Sequence, residues 1–91
     1  MLSDQTSLTR RDSALFTTVE DSVMMMDIDS GAYYELDGTA AKIWHAMEKP
    51  LTLAELCSVL ERRFEVDPAR CREETSQFVG ELVRLSLVKA D

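Results

Sequence analysis

The sequence has little of what marks a membrane protein, a multidomain chain or a metal site. Its longest purely apolar run covers residues 23–26, far short of the roughly 20 residues that span a membrane. Its three glycines and two prolines are too scattered to form a linker, and no segment repeats at a fixed period. Two cysteines, Cys57 and Cys71, and one histidine, His45, are too few for a typical metal site. We therefore expect one soluble, cytoplasmic domain without metal or cofactor and without a membrane partner.

Basic residues are also in the minority. The chain has 10 Lys and Arg residues against 17 Asp and Glu residues, which gives a formal net charge of -7. The field of such a chain repels phosphate backbones and anionic lipids. We therefore expect no nucleic-acid partner.

The first half of the sequence has the alternation typical of strands. Residues 1–13 show no apolar periodicity, and we interpret them as a flexible N-terminal arm that precedes one domain at residues 14–91. Strands are predicted at residues 15–20, 23–28 and 32–36, with polar turns between them. Gly31, in the second turn, is free to take a positive φ. These runs predict an antiparallel meander.

From residue 37 onward, the apolar spacing changes to the three and four residues of a helix. The first predicted helix has Asp37 as its N-cap and ends before Pro50. Thr52 and Glu55 have the spacing of a capping box, in which each side chain satisfies a free amide at the start of the second helix. These local signals make the second helix the most secure element of the prediction.

The third helix begins with Asp67 as N-cap and Pro68 at the first helical position, and it is predicted to extend to about residue 87. The order of elements predicts an α+β, winged-helix-like fold, in which a three-stranded antiparallel sheet is followed by three helices that cover one of its faces. A meander has two open edges, and one of them should lie beside helical surface. An open edge can also pair with a second copy, so a homodimer through an edge strand is possible.

Residues for catalysis are hard to find in this sequence. His45 has no cysteine nearby, and both cysteines are expected to be buried in helices. The third predicted helix mixes acidic and basic residues, so it lacks the basic stripe of a DNA-recognition helix. We expect a protein that is not an enzyme. An acidic winged-helix protein that regulates transcription or scaffolds other proteins remains an alternative.

The predicted hairpin and first helix resemble those of the PqqD family. The resemblance begins with DSGAYYELD at residues 29–37 and AAKIW at residues 40–44. It continues with LTLAEL at residues 51–56, FEVDP at residues 64–68 and FVGEL at residues 78–82, in the order and spacing of the family's later helices. One departure is Asp37, where the family usually has asparagine. Both residues cap helices, so we expect no functional consequence.

The resemblance implies a recognition element for ribosomally synthesised and modified peptides. Members of this family bind the leader segment of a precursor peptide as an added strand on the third predicted strand, beside the third helix, and present it to partner enzymes. An open edge supports this mode physically because its free N–H and C=O groups can pair with an incoming strand. The resemblance implies no catalytic and no metal-binding residue, and a peptide-binding site formed by Tyr33, Tyr34, Glu35 and Leu36 on the strand and by Arg70, Glu74, Gln77, Phe78, Glu81 and Leu82 on the helix.

Two questions stay open at this stage. The partners are either a leader peptidase and a macrocyclase, as in lasso-peptide biosynthesis, or a radical-SAM enzyme, as in pyrroloquinoline quinone biosynthesis. The hairpin and the single tryptophan resemble the lasso type more closely. Strand alternation also places one pair of side chains in the core, either Tyr33 with Glu35 or Tyr34 with Leu36.

Overall fold

The computed structural model describes residues 2–91. Over these residues the chain forms, in order, β1 (Ser7–Arg10), β2 (Ala14–Val19), β3 (Ser22–Asp27), β4 (Tyr33–Leu36), α1 (Thr39–Ala46), β5 (Leu51–Thr52), α2 (Leu53–Phe64), α3 (Pro68–Arg84) and β6 (Val88–Ala90). The predicted α+β fold is confirmed, and the predicted meander is the sheet β2-β3-β4. The third predicted strand corresponds to β4.

The N-terminal segment differs from the flexible arm that we predicted. Residues 7–10 form β1, the central strand of a second antiparallel sheet with the order β5-β1-β6. The side chain of Leu8 is fully buried. The carbonyl groups of Thr6 and Asp4 accept hydrogen bonds from the first amides of α2, those of Leu53 and Ala54. The sequence concealed this strand because its partners lie more than 40 residues away along the chain.

Both turns of the meander use backbone with positive φ. Gly31 has a φ of 77°, as predicted, in the turn between β3 and β4. The buried carboxylate of Asp27 supports this turn by accepting hydrogen bonds from the amide of Asp29 and the hydroxyl of Ser30. Glu20, between β2 and β3, takes a φ of 57° without being glycine. The turn between β3 and β4, which is held by the carboxylate of Asp27, fixes the position at which β4 begins.

The helix caps follow the sequence in two of three cases. The capping box of Thr52 and Glu55 is present, and the side chain of Asp67 accepts a hydrogen bond from the third residue of α3. The predicted cap of α1 is wrong, because Gly38 is the N-cap residue and no side chain closes this end. Asp37 instead precedes the cap and is exposed to solvent. α3 ends at Arg84, earlier than predicted, and the chain then continues into β6.

A single core joins the two sheets to the three helices. It contains Leu8 from β1, Val23 and Met25 from β3, Trp44 from α1 and Leu82 from α3. Within residues 2–91, no helix combines the length and the apolar character that crossing a bilayer requires. The outer face of the meander is not covered by this core.

Candidate functional site

The open edge of β4 can be defined from its hydrogen bonds. The amide of Asp27 donates to the carbonyl of Ala32 at 3.0 Å, so these two residues are a hydrogen-bonded pair between β3 and β4. Such pairs alternate along an antiparallel ladder, and the register therefore turns the backbone groups of Tyr34 and Leu36 toward β3. The N–H and C=O groups of Tyr33 and Glu35 point the other way. In the described residues, no strand pairs with that side of β4.

The same alternation separates the side chains of β4 and settles which pair belongs to the core. Leu36 is buried, with 9% of its surface exposed, and Tyr34 is half-buried against the core. Tyr33 is 77% exposed, and Glu35 is also exposed, on the outer face of the meander. The side chain of Leu36 therefore belongs to the core and its backbone groups face β3, so our prediction that Leu36 contacts a peptide is corrected.

On α3, two of the predicted site residues pack toward the core. Leu82 is 2% exposed, so the expectation that its side chain contacts a ligand is corrected: Leu82 joins the helix to the core. Phe78 is half-buried and packs against the same core as Tyr34. Gln77 and Glu81 are exposed to solvent. We call the open edge of β4 together with the exposed side of α3 the β4–α3 surface.

Charged side chains on α3 are paired with each other. Arg70 donates to Glu74 with 3.0 Å between Nε and Oε1, and Arg84 donates to Glu81 with 3.2 Å between Nε and Oε2. The second pair lowers the pKa of Glu81 and raises the pKa of Arg84, chiefly through this hydrogen bond. Tyr34 also contributes electrostatically to the raised pKa of Arg84.

A cavity of about 490 Å³ opens where the three helices meet. Arg70 and Glu74 line it, together with Thr39, which follows β4 closely in the chain. The structure therefore divides the predicted helix residues into two groups. Arg70 and Glu74 lie at the cavity, and Gln77, Phe78, Glu81 and Leu82 lie further along α3.

Sequence reasoning missed most of the residues that line this cavity. Its apolar part comes from Ile43, Leu60, Phe64 and Val66, and the ammonium group of Lys42 lies 4.8 Å from the centre of the Phe64 ring. Phe64 is apolar, yet 38% of its surface is exposed. Its position as the last residue of α2 was a signal for this exposure. The chain leaves the helix after Phe64 and therefore does not cover its ring.

The sequence of this chain matches one protein family over most of its length. The model of the family described as Coenzyme PQQ synthesis protein D (PqqD) matches residues 22–88. This chain belongs to the PqqD family. The matched segment starts with β3 and reaches β6, so it contains β4, the cavity and the whole of α3.

Two solved structures share the fold of this PqqD-family chain. One is TbiB1 in complex with the TbiA(beta) leader peptide, with a TM-score of 0.82 and 20% sequence identity, over 89% of this chain and 94% of that chain. The other is a lasso peptide synthetase B1 complexed with the leader peptide, with a TM-score of 0.76 and 20% identity, over 90% of this chain and 96% of that chain. No curated protein sequence matches this chain significantly.

Proposed function

We propose that this protein binds the leader segment of a ribosomally synthesised precursor peptide as an added strand on β4 and presents it to modifying enzymes. The observation that carries the proposal is the open edge of β4, where the backbone groups of Tyr33 and Glu35 have no strand partner within residues 2–91. Strand addition derives affinity from such main-chain hydrogen bonds and specificity from alternate side-chain positions. The complexes of the two similar structures with leader peptides support leader-peptide binding by this fold.

The cavity extends the proposed site beyond the strand. Thr39 lies three residues after the end of β4 and lines the cavity, so a peptide that continues past β4 reaches it. The apolar side chains of Ile43 and Phe64 suit a large apolar side chain of the peptide, because burying such a group contributes roughly 1.5–3 kcal/mol. Phe78 and Tyr34 would contact inward-facing residues of the added strand.

Lasso-peptide biosynthesis is the favoured setting, in the cytoplasm and with a leader peptidase and a macrocyclase as partners. One of the two similar structures is a lasso peptide synthetase B1 and both are complexes with a leader peptide, which supports this choice. The family description supports a second candidate, delivery of a precursor to a radical-SAM enzyme in pyrroloquinoline quinone synthesis. A homodimer through the edge of β4 would compete with the peptide, whereas one through β2 would not.

We also propose that the protein is not an enzyme and acts through affinity alone. Its one histidine, His45, is exposed, and both cysteines are buried. Burial raises the pKa of the Cys57 thiol to about 11, so its nucleophilic thiolate is scarce at neutral pH. Incubating the protein alone with a full precursor peptide should leave the mass of the precursor unchanged, and any cleavage or mass shift would contradict this proposal.

The decisive experiment is a calorimetric titration with synthetic leader peptides from precursor genes encoded nearby. We expect a Kd near micromolar, which corresponds to about -8 kcal/mol. Tyr33→Pro removes one amide from the open edge of β4 and should weaken binding at least about tenfold, because one main-chain hydrogen bond is lost and the edge is distorted. Tyr33→Ala separates the loss of the ring from the loss of the amide.

A matched control lies on the other edge of the same sheet. The amide of Thr18 points away from β3 by the same alternation, so Thr18→Pro removes an edge amide from β2 without touching β4. This variant should bind the peptide like wild type. Equal weakening by the two proline variants would place the peptide elsewhere, and the absence of binding to any such leader by a folded protein would refute leader recognition for those precursors.

A further inference from the structure

Glu35 is the one charged residue of β4, the strand that forms the proposed peptide edge. Its backbone groups face the open side of β4, and its side chain stands on the outer face of the meander. The residue opposite it on β3 is Met24, which carries no charge. Among residues 2–91, the carboxylate of Glu35 takes part in no hydrogen bond or ion pair. Tyr33, the other residue whose backbone groups face the open side of β4, is neutral.

Three cations of α3 and of the cavity are already engaged. Arg70 is bound to Glu74, and Arg84 is bound to Glu81. Lys42 lies over the ring of Phe64 at the cavity. The negative charge of Glu35 is therefore not neutralised by the protein, and it is reinforced by the exposed Asp37 two residues later.

An added strand would bring one of its residues directly beside Glu35. In an antiparallel pair, the residue opposite a hydrogen-bonded position has its Cα about 5.5 Å away and its side chain on the same face. A basic side chain there is favourable, and an acidic one is unfavourable, by roughly 0.2–1 kcal/mol relative to alanine. The neighbouring peptide residue turns inward, toward Tyr34 and Phe78, where an apolar side chain is favoured.

From this placement we infer that Glu35 is a specificity-determining residue, which selects peptides with Lys or Arg opposite it and an apolar residue next to that position. The inference rests on the proposed function, since it needs a strand on β4, and it adds the chemical class of the peptide that this chain takes. The overall charge of -7 acts in the same direction because it attracts basic peptides at long range.

The test is selection from a display library of random short peptides on the immobilised full chain. The wild type should enrich peptides with alternating apolar residues and Lys or Arg at one fixed position. Glu35→Lys should enrich Asp or Glu at that same position. Asp12→Lys is the matched control, because it makes the same change in net charge in the exposed loop before β2 and should leave the wild-type preference intact.

The preference is then measured with one selected peptide and its variant in which the basic residue is replaced by glutamate. This replacement should weaken binding about threefold to fivefold on wild type and strengthen it on Glu35→Lys. A charge preference that does not invert in Glu35→Lys, or that inverts equally in Asp12→Lys, would overturn the role of Glu35 while leaving leader binding intact. Failure to select any peptide that competes for β4 would overturn the inference together with the proposed function.

Discussion

At the scale of single residues, Arg10 is the side chain that ties the two sheets together. Its guanidinium lies against the rings of Phe16 and Trp44, with 4.8 Å and 4.5 Å from its central carbon to the two ring centres, and it donates to the carbonyl of Trp44. Burial lowers its pKa, and nearby Glu48 opposes this effect. An arginine suits this place because its flat cation stacks on aromatic faces.

Arg10→Ala should therefore lower the free energy of unfolding by about 2 kcal/mol, through the loss of both ring contacts and of the hydrogen bond. Urea denaturation followed by the fluorescence of Trp44, the single tryptophan, measures this change directly. The neighbouring Arg11 is exposed, and Arg11→Ala should change stability by less than about 0.5 kcal/mol. Equal effects of the two substitutions would disprove the role of the stacked guanidinium.

The thiol of Cys57 makes stability depend on pH in the alkaline range. Desolvation raises its pKa from 9.0 to about 11, and the nearby Cys71 adds to this effect. Below pH 9.0 the thiol is protonated in both states and its contribution is fully present. As the pH rises from there toward 11, the unfolded chain loses this proton first, so the contribution is lost.

Cys57→Ala should reveal this titration. The stability advantage of wild type over the variant, measured by urea denaturation, should narrow as the pH is raised from neutral into the range between 9.0 and 11. Other groups titrate there too, but they are shared by both proteins and cancel in the difference. An advantage that stays constant with pH would show that the thiol titrates normally in the folded protein.

At the scale of elements, β1 shows that a strand can form where its own sequence has no apolar periodicity. Its four residues have one buried side chain, Leu8, and the strand is stabilised by pairing on both sides with the distant β5 and β6. The helices α2 and α3 were predictable because their caps use side chains and amides only three residues apart. Capping patterns in a sequence report hydrogen bonds between residues close in the chain, whereas the strand partners of β1 are distant.

The structural importance of β1 can be tested with two leucine substitutions. Leu8→Ala should lower the free energy of unfolding by about 3 kcal/mol, because it leaves a cavity in the core. Leu15→Ala, on the outer face of β2 with 52% of its surface exposed, should cost less than about 1 kcal/mol. Circular dichroism in urea measures both variants. A small effect of Leu8→Ala would mean that residues 1–13 are the flexible arm after all.

At the scale of the whole molecule, the meander offers two open edges with different surroundings. The outward amides of Tyr33 and Glu35 on β4, and of Phe16 and Thr18 on β2, are free of strand partners within residues 2–91. At the β2 edge, the ring of Phe16 packs against Trp44 and the guanidinium of Arg10, whereas Thr39, three residues after β4, lines the cavity. This asymmetry is the reason to expect one peptide site rather than two.

Hydrogen exchange should show the asymmetry when a leader peptide binds. The amides of Tyr33 and Glu35 should become protected at saturating peptide, while those of Phe16 and Thr18 should exchange as before. At a free peptide concentration about 100 times the Kd, the protein should also gain about 2.7 kcal/mol in stability. Protection of the β2 amides instead would show that the peptide binds to β2 and that our proposal names the wrong edge.

The sequence by itself determined the order of the three meander strands and the three helices, the helix caps at Thr52 and Asp67, and the resemblance to the PqqD family. These features depend on alternation, helical periodicity and capping, which act over a few residues. The sequence also named β4 and α3 as the two sides of the site. It left open which side of each strand is buried, since alternation gives two faces without saying which one meets the core.

Only the tertiary structure decided that question and the remaining ones. On β3 it buried Asp27 and left Met24 exposed, against the order of hydrophobicity, because the carboxylate is needed to hold the turn before β4. It placed Leu36 and Leu82 in the core. It also formed the cavity from Lys42 and Phe64, which are 22 positions apart by their numbers. Contacts of this kind depend on how distant segments pack, and no local pattern encodes them.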